Sequence, residues 1–159
     1  VFDMLGKTNR AMDFLRLDTG SQWAMSNLLE HFQRAGNMEE ARKAAQQLSL
    51  IGSYEIYEKA CYTQAPAAER AKASRVFLPD ALSDPDPENR YWSAALLAAC
   101  AEPGPALKLL KASIDGNYCA YIPMQTDPLM ASLRGTPEFG QLLAAAKQCR
   151  DRFQAGRDR

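Results

Sequence analysis

Apolar residues along this chain gather in short amphipathic runs, each bounded by residues that start or stop helices. Ser21 precedes QWAMSNLLEHFQRA, Ser53 precedes YEIYEKACYTQ, and Pro66 opens AAERAKASRVFL. Asp86 followed by Pro87 supplies a capping side chain and a ring suited to the first helical turn, and Asp127-Pro128 and Thr136-Pro137 repeat that device. There is no sustained period-two alternation and the β-branched residues are few and scattered, so nothing reads as a strand. The pattern predicts an all-α chain of about ten helices. They are expected at approximately 8–16, 22–35, 38–49, 54–64, 67–82, 87–101, 104–116 and 137–154, with short helices at the start and at 128–133. Pro79 is a candidate early stop for the 67–82 helix.

The stretch HFQRAGNMEEARKAAQQL, residues 31–48, carries a glycine inside a strongly helical run. Glycine costs about 1 kcal/mol relative to alanine within a helix, so Gly36 reads as a break between two helices. Asn37 then supplies an N-cap, and Glu40 completes a capping-box pattern. Gly6 stands five residues before Ala11 just as Gly36 stands five before Ala41. Ala11, Ala41, Ala71 and Ala106 follow one another at intervals of 30, 30 and 35 residues. A period in the thirties with two helices per unit is the mark of a helical-hairpin solenoid. On this reading the glycine is the turn within a hairpin, and the alanine is small because the two helices cross there.

WSAALLAACA, residues 92–101, is apolar on almost every face and should be the most buried segment, wrapped by neighbours on both sides. It is also the longest apolar run, about half of the roughly 20 residues that span a bilayer, and no signal-peptide pattern opens the chain. The 159 residues suit one domain or one regular array, and 47% hydrophobic content is globular. Nineteen basic and nineteen acidic side chains cancel, which removes the electrostatic footprint of a nucleic-acid or anionic-membrane binder. The chain starts at Val1 with a first helix that looks cut short, so it is expected to be a domain excised from a larger protein.

MSNLLEHFQRAGNMEEA resembles one unit of the tetratricopeptide repeats: Met25, Leu28, Leu29 and Phe32 fall on that family's first-helix core positions, and Ala41 on its second-helix alanine. The other units depart further, and Glu58 and Lys59 fall where the third should be apolar. The resemblance implies a right-handed solenoid of antiparallel hairpins over 1–159: a partial repeat at about 1–20, repeats at 21–50, 52–82 and 86–117, and capping helices at 127–155. It also implies a concave groove that takes a peptide or partner protein. The family's groove positions fall here on Trp23, Ser26, Asn27, Glu30, Gln33 and Arg34. Trp23 is either a groove anchor or half-buried against the preceding helix. Of the family's peptide-carboxylate clamp only Asn27 matches, so an acidic C-terminal peptide is a poor fit.

The section from ALKLLKASIDGNYCAYIPMQTDPLMASLRGTPEF onward resembles the closing segment of repeat arrays that follow kinase, winged-helix or cyclase domains in large bacterial signalling proteins. In such segments an Asn-Tyr/Phe-Cys loop and a cysteine in the final helix tend to occur together, which places Cys119 and Cys149, 30 residues apart, as a potential disulfide. Two free thiols in a bacterial cytoplasm are the commoner state. A bridge would point to an extracytoplasmic setting behind an upstream membrane anchor. Cys61 and Cys100 form a weaker candidate pair.

Catalytic patterns are scarce. His31 is the only histidine, and its place between Glu30 and Phe32 suggests a partly exposed side chain with no ligand role. GSYEIY and RGTPEFG lack the glycine spacing and lysine of a phosphate-binding loop, and the four cysteines contain no Cys-x-x-Cys pair. The expectation is therefore a non-enzymatic module without metal or cofactor that binds a protein or peptide, and neither nucleic acid nor the membrane interior. A structural spacer or self-associating domain of a multidomain regulator is the alternative.

Overall fold

The computed structural model describes residues 2–3, 7–18, 21 and 23–157. Among them are nine α-helices and one 3-10 helix, and no strand. The helices are α1 (Thr8–Leu15), α2 (Ala24–Arg34), α3 (Met38–Gln46), α4 (Ser53–Tyr62), α5 (Ala67–Ser83), α6 (Pro87–Ala99), α7 (Pro103–Asp115), α8 (Tyr121–Thr126) and α9 (Pro137–Arg157), with the 3-10 helix at Pro128–Leu133. The chain divides into two compact units, Val1–Leu78 and Pro79–Arg159, the boundary falling inside α5. Pro79 does not stop that helix, which continues to Ser83.

In the first unit α2 packs on α1 and α3, and α3 on α4. Ala41, Ala44 and Ala45 are buried on α3, as the alanine expected at a helix crossing should be, and Leu29 is the buried anchor of α2. Ala71, the third of the periodic alanines, is exposed, because α5 instead turns Ala73 and Phe77 inward. The Phe77 ring stacks on Tyr57 at 4.9 Å between centroids and meets Tyr54 edge-on at 5.7 Å.

In the second unit α6 is the core. Ser93 through Ala98 are buried without interruption, and α7 and the 3-10 helix both pack on α6, as the apolar run predicts. Asp86 caps α6 by accepting from the Glu88 N–H at 2.8 Å, with Pro87 in the first turn. At its N-terminal end α6 is stapled to α7: the Ser113 hydroxyl donates to the Pro87 carbonyl at 2.7 Å, and Arg90 Nη1 to the Ala112 carbonyl at 3.2 Å. A Cβ on Gly116 would lie 2.8 Å from Pro87 Cβ, so the approach of the two helices requires glycine there. Asp127, fully buried, accepts from the Leu129 N–H and starts the 3-10 helix, whose Leu129, Met130 and Leu133 point into the core.

One backbone device closes four helices. After α2, the Asn37 N–H donates to the Phe32 carbonyl and the Gly36 N–H to that of Gln33. The same pair of bonds runs Ala65 to Ala60 and Gln64 to Cys61, Glu102 to Leu97 and Ala101 to Ala98, and Tyr118 to Ser113 and Asn117 to Ile114. This is the Schellman arrangement, and it needs a left-handed residue at each site. Those residues are Gly36 (φ 75°), Gln64 (φ 56°), Ala101 (φ 61°) and Asn117 (φ 68°). Glycine thus marks only one of the four turns, and Gly6 lies outside the described residues. The reciprocal half of the expected capping box is also absent. Asn37 Oδ1 accepts from the Glu40 N–H at 3.3 Å, but the Asn37 N–H is spent in the Schellman bond and the Glu40 carboxylate meets Lys43 at 2.7 Å.

An alanine held at positive φ carries a steric cost of about 1–2 kcal/mol, which glycine avoids at an entropic cost of about 0.5–1 kcal/mol. Ala101→Gly should therefore stabilise the second unit by about 0.5–1 kcal/mol. Chemical denaturation would read this as a higher midpoint at unchanged slope, and a lowered midpoint would argue against the left-handed turn.

Candidate functional site

Hydrogen bonds join α2 to α4 along a seam of unusually polar composition. The Ser26 hydroxyl donates to Glu58 Oε2 at 2.9 Å, the Tyr54 hydroxyl to Glu30 Oε1 at 2.7 Å, and the Tyr62 hydroxyl to Gln33 Oε1. Arg34 Nη1 binds Glu30 Oε2 at 2.8 Å, one turn along α2, with both side chains largely buried. Helical spacing explains the arrangement: Glu30 and Arg34 share a face of α2, and Tyr54, Glu58 and Tyr62 recur every four residues on α4.

Burial sets the electrostatics. Glu58 is fully inaccessible and Glu55 is 2% exposed, and one carboxyl oxygen of each, Oε1, has no hydrogen-bond partner. Loss of solvation pushes the Glu58 carboxyl well above the usual carboxylate range, and the neighbouring Glu30 adds to this. The Ser26 hydroxyl opposes the shift and Glu55 reinforces it. Burial likewise raises Tyr54 and Tyr62 well above the ordinary phenol value, helped in both by Glu30 and Glu58. Both phenols therefore remain hydrogen-bond donors.

Of the six positions expected to line a groove, Ser26, Glu30, Gln33 and Arg34 are instead turned into the seam and satisfied there, while Asn27 is exposed and Trp23 is 48% exposed. Those two stand one helical turn apart, and the Trp23 N–H is held by the Ser21 hydroxyl at 3.1 Å. Ser21 acts here from two residues outside the helix, where the sequence placed the cap itself; Trp23 occupies that position with helical backbone angles.

His31 corrects a sequence expectation. Its side chain is 4% exposed, and Nδ1 lies 2.9 and 3.0 Å from the two carboxylate oxygens of Asp3. The pairing orients the ring and ties the chain start to α2. Among the described residues no group of three or more His, Cys, Asp or Glu side chains could hold a metal ion. No helix among them is long and apolar enough to cross a membrane.

In the second unit Cys119 and Cys149 are joined by a disulfide, with Cα atoms 5.3 Å apart. This is the alternative that residue-level reading ranks behind free thiols, and no described cysteine is free. The bond holds the Asn117-Tyr118-Cys119 loop against α9, where Arg150 also lies over the Tyr121 ring, 4.5 Å from its centroid. The Tyr118 hydroxyl donates to Glu88 at 3.2 Å, and burial together with that carboxylate pushes its pKa up to about 12.

No family model matches the chain, and neither a curated protein nor a solved structure matches it.

Proposed function

We propose that this chain is a non-catalytic interaction module, a tetratricopeptide-like array of helical hairpins forming a right-handed solenoid, within a bacterial signalling or regulatory protein. The observation that carries the reading is the exposed pair Trp23 and Asn27 on α2, beside groove positions whose side chains are locked by α4. A rigid aromatic anchor with a neighbouring amide, backed by an immobilised polar seam, suits an extended peptide. One helix-closing bond pattern ends both α2 and α6, each of which packs on the helix that follows it, and this supports the repeat character in spite of the unequal spacing of the alanines. The Cys119–Cys149 bridge favours an extracytoplasmic setting over a reducing cytoplasm. A rigid spacer or self-associating arm is the second reading; it fits the same hairpins but gives Trp23 no task.

Selection of linear peptides from a random display library on the immobilised chain tests the first reading. Enriched peptides should lose about tenfold or more in affinity against Trp23→Ala, the size expected of an aromatic anchor. Enrichment that ignores both Trp23→Ala and Asn27→Ala, or none at all, leaves the spacer reading in its place.

A further inference from the structure

The α2–α4 seam buries the Glu58 carboxyl completely, beside a second acidic side chain, Glu30, whose charge is already met by Arg34. Three acidic side chains, Glu30, Glu55 and Glu58, meet there, and Glu30 is bound by Arg34 and by the Tyr54 hydroxyl. Glu58 faces Ser26 and Glu30 from α2 and Glu55 from its own helix, all within a region it shares with the phenols of Tyr54 and Tyr62. From α3 the buried residues are Ala41, Ala44 and Ala45; Lys43 binds Glu39 and Glu40 at the surface, and Lys59 on α4 donates to the Gln46 carbonyl. From α5 the seam receives the Phe77 ring. The unpartnered Oε1 atoms of Glu55 and Glu58 are the geometric sign of the conflict: a fully buried carboxylate needs donors at both oxygens, and Glu58 has one.

We propose that Glu58 is a proton-dependent clasp of the α2–α4 seam: while it carries its proton the seam is closed, and the buried charge created by its ionisation beside Glu30 loosens the seam. A protonated carboxyl accepts the Ser26 hydroxyl at one oxygen and places no net charge beside Glu30. Loss of the proton puts a second anion against Glu30 in a dry site, and separation of α4 from α2 is the route by which water reaches it. The trigger is independent of what, if anything, occupies the surface around Trp23.

The sign follows from linkage. Glu58 binds its proton more tightly folded than unfolded, so its contribution to stability is fully present below the unfolded carboxyl value and is lost as pH rises through the higher, folded one. Within that window the opening equilibrium of the seam should grow by up to about tenfold per pH unit. Hydrogen-exchange protection factors of α2 and α4 amides, measured on the intact chain between weakly acid and weakly alkaline pH, read this directly.

Wild type should lose protection with rising pH, and Glu58→Gln, which keeps an acceptor for Ser26 and cannot ionise, should lack that decline. Ser26→Ala removes the one contact favouring the ionised form and should displace the decline to higher pH. An equal decline in wild type and Glu58→Gln would overturn the clasp. Should Glu58→Gln fail to fold, titration of carbon-13-labelled glutamate carboxyls in the wild-type chain decides: a Glu58 signal that remains protonated above the range of exposed glutamates supports it, and one that titrates with them contradicts it.

Discussion

Leu96→Asp is expected to abolish the cooperative thermal transition of the second unit. Leu96 is 2% exposed at the centre of the six-residue buried run of α6, with α7 and the 3-10 helix packed against that helix. Removing a leucine from such a site costs about 2–5 kcal/mol through lost burial and the cavity left behind. An aspartate adds the several kcal/mol penalty of a charge without a partner in a dry interior. The sum is comparable with the roughly 5–15 kcal/mol total stability of a typical domain. Far-ultraviolet circular dichroism of the variant should show reduced helix and a broad, shallow melt. A sharp transition near that of the wild type would mean that α6 is an edge element and that the core lies elsewhere.

The second large effect concerns the disulfide. Cys119 and Cys149 are 30 residues apart in sequence, and closing a loop of that size in the unfolded chain is worth about 3.5 kcal/mol on the chain-entropy account. Replacing both residues by alanine should lower the melting midpoint of the second unit by about 15–25 °C, given the usual entropy of unfolding for a unit of this size. Part of that loss would come from Cys149 itself, which is buried on α9. Mass analysis without reductant should first show the wild-type chain lighter by two hydrogens for this link. A double-alanine chain whose midpoint stays within a few degrees of wild type would show that the Asn117–Cys119 loop is fixed to α9 by packing alone.

Sequence reading succeeded where local chemistry decides the outcome. The cap and proline at Asp86-Pro87, the Asp127 start of the 3-10 helix and the N-cap of Asn37 each follow from a side chain that satisfies orphaned backbone donors nearby. The α6 core was legible because a run apolar on every face has only one stable location. Failures came where tertiary context overrode a local rule. Gln64 and Ala101 occupy left-handed turns with no glycine to announce them. α8 is absent from the expected helices; its Pro123 lies in the first turn, where proline forfeits no helical hydrogen bond. The exposed position of Ala71 shows that equal spacing of small residues does not fix which face of α5 is buried.

The seam was half visible. Glu58 stood out as a charged residue where the repeat resemblance calls for an apolar one, and it is buried. Its hydrogen-bond partner could not be read locally, because Ser26 lies 32 residues earlier. His31 was misplaced for the same reason: its partner Asp3 is 28 residues away.

The claim at the centre of this account is that α2 presents a partner-binding surface around Trp23. Backbone amide chemical-shift mapping of the labelled chain, titrated with a library-selected peptide, tests it most directly. Perturbations should centre on Trp23 and Asn27 and run along the α2 face they share, with the indole N–H signal of Trp23 among the largest. Saturable shifts confined to α6–α9, with the Trp23 and Asn27 signals unmoved, would contradict it.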